Sequence, residues 1–438
     1  MLVFLLGTGV YYAFRTNFVQ IRKFKKAFKQ VFGNAFKKTD TEEGGLSSFQ
    51  ALTTSIAAQI GTGNIAGVAT AIAAGGPGAI FWMWLSAFFG MSTIFGEAVL
   101  AQKFKTKKDG VTVGGPAYYI SEGLGIKWLA VFFAVAIILA LGFMGNMVQS
   151  NSIAVAMHNA FGIKQIYVGI ALAIIAGIII IGGIKRIGKV TEYLIPIMAL
   201  FYLLGGLTII FMNLNEVIPA FRDIFVGAFN PTAVGGGILG AGVKEAFRYG
   251  VARGIFSNEA GLGSTPHAHA VAKVKHPAQQ GLVAMTAVFI DTMVVCTMTA
   301  LIILVTRVDY ASATGAELVQ NAFAAGFGNS FGPGFLAIAL FFFAFSTVIG
   351  WYYFAEVNVR FLFGKQFIRP FQILVLAFVI FGTYLKVDMV WELADLFNGL
   401  MIIPNLIAVV ALSGLVIKVL NDYETDFEKS SSDLINKN

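Results

Sequence analysis

The chain has 438 residues, of which 57% are hydrophobic and 12% are charged, and its formal net charge at pH 7 is +8. This composition excludes a water-soluble globular protein and predicts a polytopic membrane protein surrounded by lipid. The positive charge does not indicate nucleic-acid binding, because lysine and arginine occur in short segments between apolar runs, where they set membrane orientation.

Apolar runs of about 20 residues recur along the whole chain and predict membrane-spanning helices rather than the strands of a barrel. We predict about eleven spans, numbered 0 to 10, in an all-α protein. They lie at about 1–14, 46–73, 77–103, 128–157, 165–184, 190–212, 242–272, 277–306, 334–360, 367–386 and 390–419.

Span 6 is predicted from the distribution of charge, because its own hydropathy is low. Basic clusters at 22–29, 103–108, 185–189, 273–275 and 360–369 all belong on the cytoplasmic side by the positive-inside rule. The chain must then cross once between the outer end of span 5 and the cluster that precedes span 7. This topology predicts an external N-terminus and a cytoplasmic C-terminus.

The spans divide the chain into four segments. Residues 1–45 form an extra N-terminal helix with a basic cytoplasmic segment, and 46–213 form a first repeat of five helices. Residues 214–420 hold an external amphipathic helix and a second five-helix repeat, and 421–438 form a polar cytoplasmic tail. The two repeats begin on opposite sides of the membrane, so they are predicted to be inverted.

Both repeats open with a helix that is interrupted by glycine at mid-depth, in "QIGTGN" of span 1 and "GIFSNEAGLGS" of span 6. Paired broken helices are the best sequence indicator of a secondary transporter's binding site. Non-helical backbone survives at this depth only when it is buried in protein or lines a cavity. We therefore predict a binding site between the two breaks.

The break in span 1 exposes carbonyl oxygens at the end of one half-helix and amide N–H groups at the start of the next. Carbonyl oxygens suit a small cation and amides suit an anion. We expect the carbonyls of 57–60 to bind an ion and the amides of Gly61, Thr62 and Gly63 to face a carboxylate. For glycine alone, close helix packing is the alternative.

Polar residues beside the breaks favour the binding site over the packing alternative. Gln59 lies next to the break in span 1, and Ser257 and Asn258 lie at the break in span 6. In span 8, Ser346 and Thr347 place hydroxyl oxygens at mid-depth, which are ligands for a small hard cation. Bonding of these hydroxyls to carbonyls of their own helix is the alternative.

Trp351 lies one turn after Thr347 on the same face of span 8, where it would meet the substrate's side chain. Its indole N–H needs a partner, for which a main-chain carbonyl at the span 6 break is the candidate. Packing against lipid or span 3 is the alternative.

Asp291 in span 7 is an intramembrane carboxylate, which by default faces an ion or proton path. The alternative is a structural role as acceptor for a buried donor such as Asn64.

The remaining charged groups and histidines are expected to have structural roles. Glu245, Arg248 and Arg253 of span 6 are expected to form internal pairs or to line a cavity. His267, His269 and His276 lack the spacing of a hydrolytic zinc site and are expected on the surface. The sequence contains no nucleotide-binding loop and no candidate catalytic residue, which indicates transport driven by an ion gradient.

Three stretches resemble the alanine or glycine:cation symporter family of bacteria and archaea. They are "PGAIFWMWLSAFFGM" from Pro77 to Met91, "IGTGNIAGVATAIAAGGPG" before it, and "SNEAGLGS" in span 6. The resemblance covers the chain from about Gly7 to the end of span 10. It implies a location in the prokaryotic cell membrane and the LeuT-like fold of the amino acid–polyamine–organocation superfamily. In that fold two inverted repeats of five helices have discontinuous helices 1 and 6, and span 0 is an addition.

The resemblance also implies specific ligands, because Gly61–Asn64 is similar to the Gly-Leu-Gly-Asn break of the leucine transporter. A main sodium ion would be bound by the carbonyls of Ala57 and Ile60 and by the hydroxyls of Ser346 and Thr347. A second sodium ion would be bound by the Gln59 carbonyl, Asn64, Ser257 and Asp291. Phe256 would cap the substrate, and Gln149 of span 3 would lie nearby.

The sequence therefore predicts a sodium-coupled importer of a small neutral amino acid, alanine or glycine. A proton is the alternative coupling ion, and glutamine is the alternative substrate within the family. An ion channel would need a continuous polar pore, whereas the polar groups here cluster at one depth. An intramembrane enzyme would need a nucleophile–base pair or metal ligands on facing spans. The sequence leaves the oligomeric state open.

Overall fold

The computed structural model describes residues 1–34, 46–230, 242–385 and 387–427. In this part of the chain almost every element is a helix. The helices of the first half are α1 Leu2–Arg15, α2 Val19–Arg22, α3 Phe24–Asn34, α4 Ser48–Gln59, α5 Gly63–Gly75, α6 Ala79–Lys103, α7 Lys127–Phe161, α8 Gln165–Ile180, α9 Gly183–Met212 and α10 Leu214–Phe229.

The helices of the second half are α11 Val243–Asn258, α12 Pro266–Ala270, α13 Pro277–Val305, α14 Gly315–Phe327, α15 Gly332–Phe363, α16 Lys365–Gly382, α17 Val387–Ala411 and α18 Ser413–Asp422. An antiparallel hairpin of β1 Thr106–Lys108 and β2 Val111–Val113 follows α6. Short helical segments at Pro116–Tyr118 and Tyr119–Gly123 lead from the hairpin to α7, and another at Tyr423–Phe427 follows α18.

The helices confirm a polytopic membrane protein. Among the described residues, α6, α7, α9, α13, α15, α16 and the part of α17 from Met389 are long and apolar enough to cross a membrane. The pair α4 and α5 qualifies as an eighth span when it is counted as one helix bent by 48°. The apolar helices at spans 0 and 4, α1 and α8, are shorter. The pair α11 and α12 occupies the position of span 6.

Several elements differ from the sequence prediction. The apolar run of span 10 is divided between α17, which ends at Ala411, and the separate helix α18. Helix α14 and the β-hairpin were not predicted, although the hairpin turns at Asp109–Gly110, a dipeptide typical of tight hairpins. Residues 35–45 of the predicted N-terminal segment and 428–438 of the predicted tail lie outside the described residues.

Helix α6, which contains most of the Pro77–Met91 stretch, packs closely against α11. A Cβ atom added to Gly250 would lie 2.2 Å from the carbonyl oxygen of Ala79, and one added to Gly254 would lie 2.7 Å from Ser86 Oγ. Small residues of this kind allow helices in a membrane to approach closely. The contact fixes the position of α11, whose C-terminal end forms part of the candidate site.

Helix α10 occupies the segment that was predicted to be an amphipathic helix. Its aromatic residues pack on α6, with ring centroids 5.1 Å apart for Phe81 and Phe229 and 5.9 Å apart for Trp84 and Phe225. The side chain of the apolar residue Ile218 is 81% exposed. Such an apolar outer surface suits a helix that lies in the membrane interface.

Candidate functional site

The chain is broken between α4 and α5, at the "QIGTGN" motif. Helix α4 ends at Gln59, and α5 begins at Gly63 with a π-helical turn, Gly63–Gly67. A Cβ atom added to Gly61 would lie 2.3 Å from Thr347 Oγ1. Glycine at this position therefore allows α15 to approach the break, as expected for a residue that admits close contact with the backbone.

Two carbonyls of the α4 terminus face two hydroxyls of α15. Thr347 Oγ1 lies 3.0 Å from the Ala57 carbonyl oxygen and 3.4 Å from that of Ile60. Ser346 Oγ lies 3.2 Å from the Ala57 carbonyl oxygen. All four residues are buried. Unwound carbonyls together with hydroxyl oxygens are a ligand set that suits a small hard cation such as sodium.

Both hydroxyls also bond to their own helix, which was the alternative considered for them. Ser346 Oγ donates to the Phe343 carbonyl at 2.8 Å, and Thr347 Oγ1 lies 3.2 Å from the same oxygen. A hydroxyl has two acceptor lone pairs, so each oxygen can keep this bond and still bind a cation. The two interpretations are therefore compatible.

Two of the three amides predicted to face a carboxylate are paired with side-chain oxygens. The Gly61 N–H donates to Asn64 Oδ1 at 2.9 Å, and the Thr62 N–H donates to Gln149 Oε1 at 3.1 Å. A buried amide needs an acceptor, and these side chains supply one. A carboxylate that binds the Thr62 amide must therefore displace the Gln149 oxygen.

Asp291 accepts hydrogen bonds from three different elements. Asn64 Nδ2 donates to Asp291 Oδ1 at 2.6 Å, and Ser257 Oγ lies 3.0 Å from both carboxylate oxygens. Thr292 Oγ1 donates to Oδ2 at 2.8 Å. Asp291 lies in a π-helical segment of α13, Phe289–Cys296, and such segments frequently occur at functional sites. The structure thus joins α5, α11 and α13 at the Asp291 carboxylate. Asn64 is one of its donors, as the structural alternative for Asp291 expected.

The side chains of Gln59 and Asn258 extend this cluster. Gln59 Nε2 donates to the Asn258 carbonyl at 2.7 Å, and Asn258 Nδ2 donates to Thr292 Oγ1 at 3.2 Å. Within the described residues, Gln59 Oε1 and Thr62 Oγ1 are buried and have no hydrogen-bond partner. Buried oxygens without a partner are costly, so a bound cation or donor would stabilise them.

The second break lies between α11, which ends at Asn258, and α12, which begins at Pro266. The Glu97 carboxylate of α6 accepts hydrogen bonds from the N–H groups of Gly261 at 2.9 Å and Gly263 at 3.0 Å. Asn405 Nδ2 of α17 donates to Glu97 Oε1 at 2.6 Å and to the Gly261 carbonyl at 2.9 Å. Two neighbouring helices therefore hold the unwound segment in place.

Glu97 was missed by the sequence analysis, although the rule that identified Asp291 also applies to it. Both are intramembrane carboxylates, which are costly and commonly functional. Glu97, Glu259 and Asp291 are fully buried, and none forms an ion pair with any of the described lysine or arginine residues. Their hydrogen-bond donors are consequently the groups that stabilise them.

An aromatic column connects this region to a cavity of about 530 Å³. The rings of Trp351 and Phe256 are edge-to-face with centroids 6.0 Å apart, and Phe256 lies 4.9 Å from Trp391. The Arg253 guanidinium lies 4.8 Å from the centre of the Trp391 ring and forms a bidentate ion pair with Asp395 at 3.1 and 2.9 Å. Trp391, Arg253 and Asp395 line the cavity.

The charged groups of α11 behave as expected. Arg253 is internally paired with Asp395 and lines the cavity, and Arg248 lies 3.8 Å from Glu245.

The indole N–H of Trp351 does not bond to a main-chain carbonyl, so that part of the prediction is wrong. It donates to Glu259 Oε1 at 2.5 Å, and Ser264 Oγ donates to Glu259 Oε2. Glu259 is the first residue after α11 and has a left-handed conformation, with φ of 59°. The motif "SNEAGLGS" contains Glu259, but its sequence does not show that the side chain reaches α15.

The prediction of surface positions for His267 and His269 is also wrong, because both are fully buried. The His267 ring stacks with Phe133 and Phe354, and its Nε2 lies 2.8 Å from Asn358 Nδ2. Helix α12 turns into the bundle and packs on α6, which removes these rings from solvent. His276 is partly buried and caps the N-terminus of α13.

The family model described as "Sodium:alanine symporter family" matches residues 1–437. The chain is 46% identical to "Sodium/alanine symporter AgcS" of Methanococcus maripaludis over 443 residues, which cover 98% of this chain and 96% of the relative. It is 43% identical to "Probable sodium/glutamine symporter GlnT" of Bacillus subtilis over 425 residues, which cover 97% and 87%.

The fold is similar to that of MhsT, whose crystal structure contains L-phenylalanine. The TM-score is 0.61 at 12% sequence identity, and the match covers 87% of this chain and 90% of MhsT. This likeness shows a LeuT-like fold and carries no information about the substrate.

Proposed function

Because the chain belongs to the sodium:alanine symporter family, and is thus a sodium-coupled amino-acid transporter of the membrane rather than an enzyme, we propose that it imports alanine or glycine by alternating access. The choice of a small substrate is based on the position of Trp351. It lies one turn from Thr347, which faces the broken α4–α5 pair, and it contacts Phe256 at the end of the second broken helix. A large rigid ring thus occupies the space between the two breaks.

We assign the main sodium ion to the Ala57 and Ile60 carbonyls and to the Ser346 and Thr347 hydroxyls. These oxygens lie 3.0 to 3.4 Å apart across the α4–α15 contact. Partial negative charge at the C-terminal end of α4 adds to the attraction.

A second cation site is proposed at Asp291, with Asn64, Ser257 and the Gln59 carbonyl as further ligands. Support comes from the convergence of Asn64 and Ser257 on a buried carboxylate that forms no ion pair with a described lysine or arginine. A sodium ion there would offset the cost of the intramembrane charge.

For the substrate, the amides of Gly61, Thr62 and Gly63 are the proposed carboxylate-binding groups. Gln149, which accepts from the Thr62 amide in this structure, would then turn to donate through its Nε2 group. The ammonium group would face the carbonyls at the end of α11, near Ser257 and Asn258, where the helix terminus favours positive charge.

Phe256 and Trp351 would enclose the substrate's side chain. The Trp351 ring is almost fully buried, and it fills volume that a leucine-sized group would require. Hydrogen or methyl would fit beside it. Glutamine is the second candidate, because GlnT is 43% identical over nearly the whole chain. The glutamine side chain is larger than that of alanine, so the space left beside Trp351 is the property that separates the two candidate substrates.

The proposed topology has eleven spans arranged as an N-terminal helix followed by two inverted repeats of five. It places segments 1–45, 46–213, 214–420 and 421–438 as predicted, with an external N-terminus and a cytoplasmic C-terminus in a prokaryotic cell membrane. The two broken pairs, α4–α5 and α11–α12, support the repeat, because they occupy corresponding positions in its halves.

Uptake by the purified protein in liposomes tests the proposal. An inward sodium gradient should drive accumulation of labelled alanine or glycine, and unlabelled alanine inside should drive counterflow without a gradient. Leucine should compete poorly. Transport of glutamine in preference to alanine would contradict the small-pocket assignment, and accumulation that follows a proton gradient without sodium would contradict the assigned ion.

A further inference from the structure

Trp351 is held by Gly145 of α7 and by Glu259 in the break between α11 and α12, and the proposed site uses neither residue. A Cβ atom added to Gly145 of α7 would lie 2.5 Å from Trp351 Cζ3 and 2.7 Å from Cε3. The six-membered side of the indole therefore lies directly on the α7 backbone. A larger residue at this position would displace the ring.

The opposite side of the indole is tethered through its N–H group. Glu259 Oε1 accepts that hydrogen bond at 2.5 Å, while Oε2 accepts from Ser264 Oγ. Trp351, Glu259 and Ser264 are all buried. A buried indole N–H needs an acceptor, and the Glu259 side chain supplies it.

The tether determines which orientation of the ring is populated. Phe256 contacts the indole edge-to-face and supplies no hydrogen-bond acceptor for its N–H group. Without an acceptor, the buried indole N–H would lose its hydrogen bond, and rotation of the side chain toward another acceptor would become favourable. Such a rotation would enlarge or reshape the space beside the substrate.

We propose that Glu259 is a positioning residue that sets the size limit of the substrate pocket by fixing the Trp351 indole against Gly145. The inference rests on the proposed function, in which Trp351 bounds the substrate's side chain. Glu259 lies in the break between α11 and α12, so the size limit is built by α15 together with the unwound segment of the second repeat. Gly145 contributes by leaving room for the ring.

A matched pair of substitutions tests the tether. Glu259→Gln keeps an acceptor oxygen at the same length, whereas Glu259→Met keeps the length and removes the acceptor. Neither adds a β-branch at the left-handed position. The measurement is inhibition of labelled alanine uptake by unlabelled leucine and methionine in liposomes, relative to unlabelled alanine.

The Met variant should favour the larger competitors by about tenfold or more relative to alanine, in the range by which a hydrophobic pocket discriminates one methylene. The Gln variant should change the ratio by less than about threefold, since its acceptor is retained. Equal selectivity in the two variants would overturn the proposal. The sodium dependence of uptake is measured in parallel, because a general disturbance of the break would change it in both.

Trp351→Phe provides the double-mutant control, because phenylalanine lacks the N–H group. In that background the Gln and Met variants should have the same competition profile. A difference between them that persists would show that Glu259 acts independently of the indole, which overturns the proposal. If Trp351→Ala leaves the profile unchanged, the pocket assignment itself fails. If Trp351→Ala changes the profile and Glu259→Met does not, only the tether fails.

Gly145→Ala tests the same geometry without altering the break. Its added methyl group would overlap the indole, so the preference between glycine and alanine should change by at least about threefold, a small part of the discrimination available to such a pocket. This variant decides the question if Glu259→Met does not reach the membrane. An unchanged preference, in a variant present at wild-type levels, would contradict the packing on which the proposal depends.

Discussion

Replacement of Thr347 by valine tests the proposed main sodium site most directly. Valine has nearly the same shape as threonine, and it replaces the hydroxyl that lies 3.0 Å from the Ala57 carbonyl and 3.4 Å from that of Ile60. Thr347→Ser is the matched control, because it keeps the hydroxyl and removes only the methyl group. Both changes remove little volume from a fully buried position.

The expected magnitude follows from the contacts of the hydroxyl. An interaction with a charged partner contributes roughly 1.5–3 kcal/mol, and each 1.4 kcal/mol corresponds to about a tenfold change in a dissociation constant. We therefore expect Thr347→Val to raise the sodium concentration for half-maximal uptake by about 10-fold to 100-fold. Loss of the bonds to the Ala57 and Phe343 carbonyls should cost only about 1 kcal/mol of folding stability, as for other neutral hydrogen bonds.

The assay is initial uptake of labelled alanine into liposomes over a range of external sodium concentrations at saturating alanine. Thr347→Ser should remain within about threefold of the wild type, a change of less than 1 kcal/mol. Equal increases for valine and serine would indicate a packing role for the methyl group. An unchanged sodium dependence in the valine variant would refute the assignment of Thr347 as a sodium ligand.

Three further predictions concern the breaks and the topology. Gly61→Ala should abolish uptake without loss of the protein from the membrane, because its Cβ would lie 2.3 Å from Thr347 Oγ1. In the control variant Gly7→Ala the added Cβ meets nothing within 4 Å, so transport should be normal. Comparable losses of uptake in the two variants would contradict the close contact at Gly61. Glu97→Gln should lower folding stability by about 1–3 kcal/mol, since the N–H group of either Gly261 or Gly263 loses its acceptor. Thermal unfolding in detergent measures the change. An unchanged unfolding midpoint would contradict the role of Glu97 in holding the second break. A cysteine at the exposed polar position Asn215 of α10 should react with an impermeant thiol reagent from outside, and one at Lys275 only from inside. The native Cys296 is buried and can stay; reaction of both positions from one side would contradict the eleven-span topology.

The two helix breaks could be predicted from sequence because their causes are local. Glycine and polar residues at mid-depth disfavour a continuous helix, and the structure has a break after Gln59 and another after Asn258. The facing of Thr347 toward the first break followed from helical spacing and from the family resemblance. The position of span 6 followed from loop charge, although hydropathy within the segment gives no such signal.

The contacts between distant residues could not be predicted in the same way. Glu259 and Trp351 are 92 residues apart, and Thr62 and Gln149 are 87 apart, so no local pattern relates them. A buried donor needs an acceptor, but the sequence does not show which of several nearby groups supplies it. The surface prediction for His267 failed for a related reason. Its burial depends on how α12 packs, and a short helix after a glycine-rich loop has no periodicity from which its direction could be read.

The three buried carboxylates give a physical reason why a cation would stabilise the arrangement of the two breaks in this structure. Glu97 ties the second break to α6 and α17, Glu259 ties it to α15, and Asp291 joins α5 to α11 and α13. Since none of these carboxylates has a cationic partner among the described residues, sodium bound at the proposed sites would introduce positive charge where the structure has only hydrogen-bond donors. Ion binding would then favour the arrangement in which the broken helices are held together, and release of the ion would weaken the same contacts.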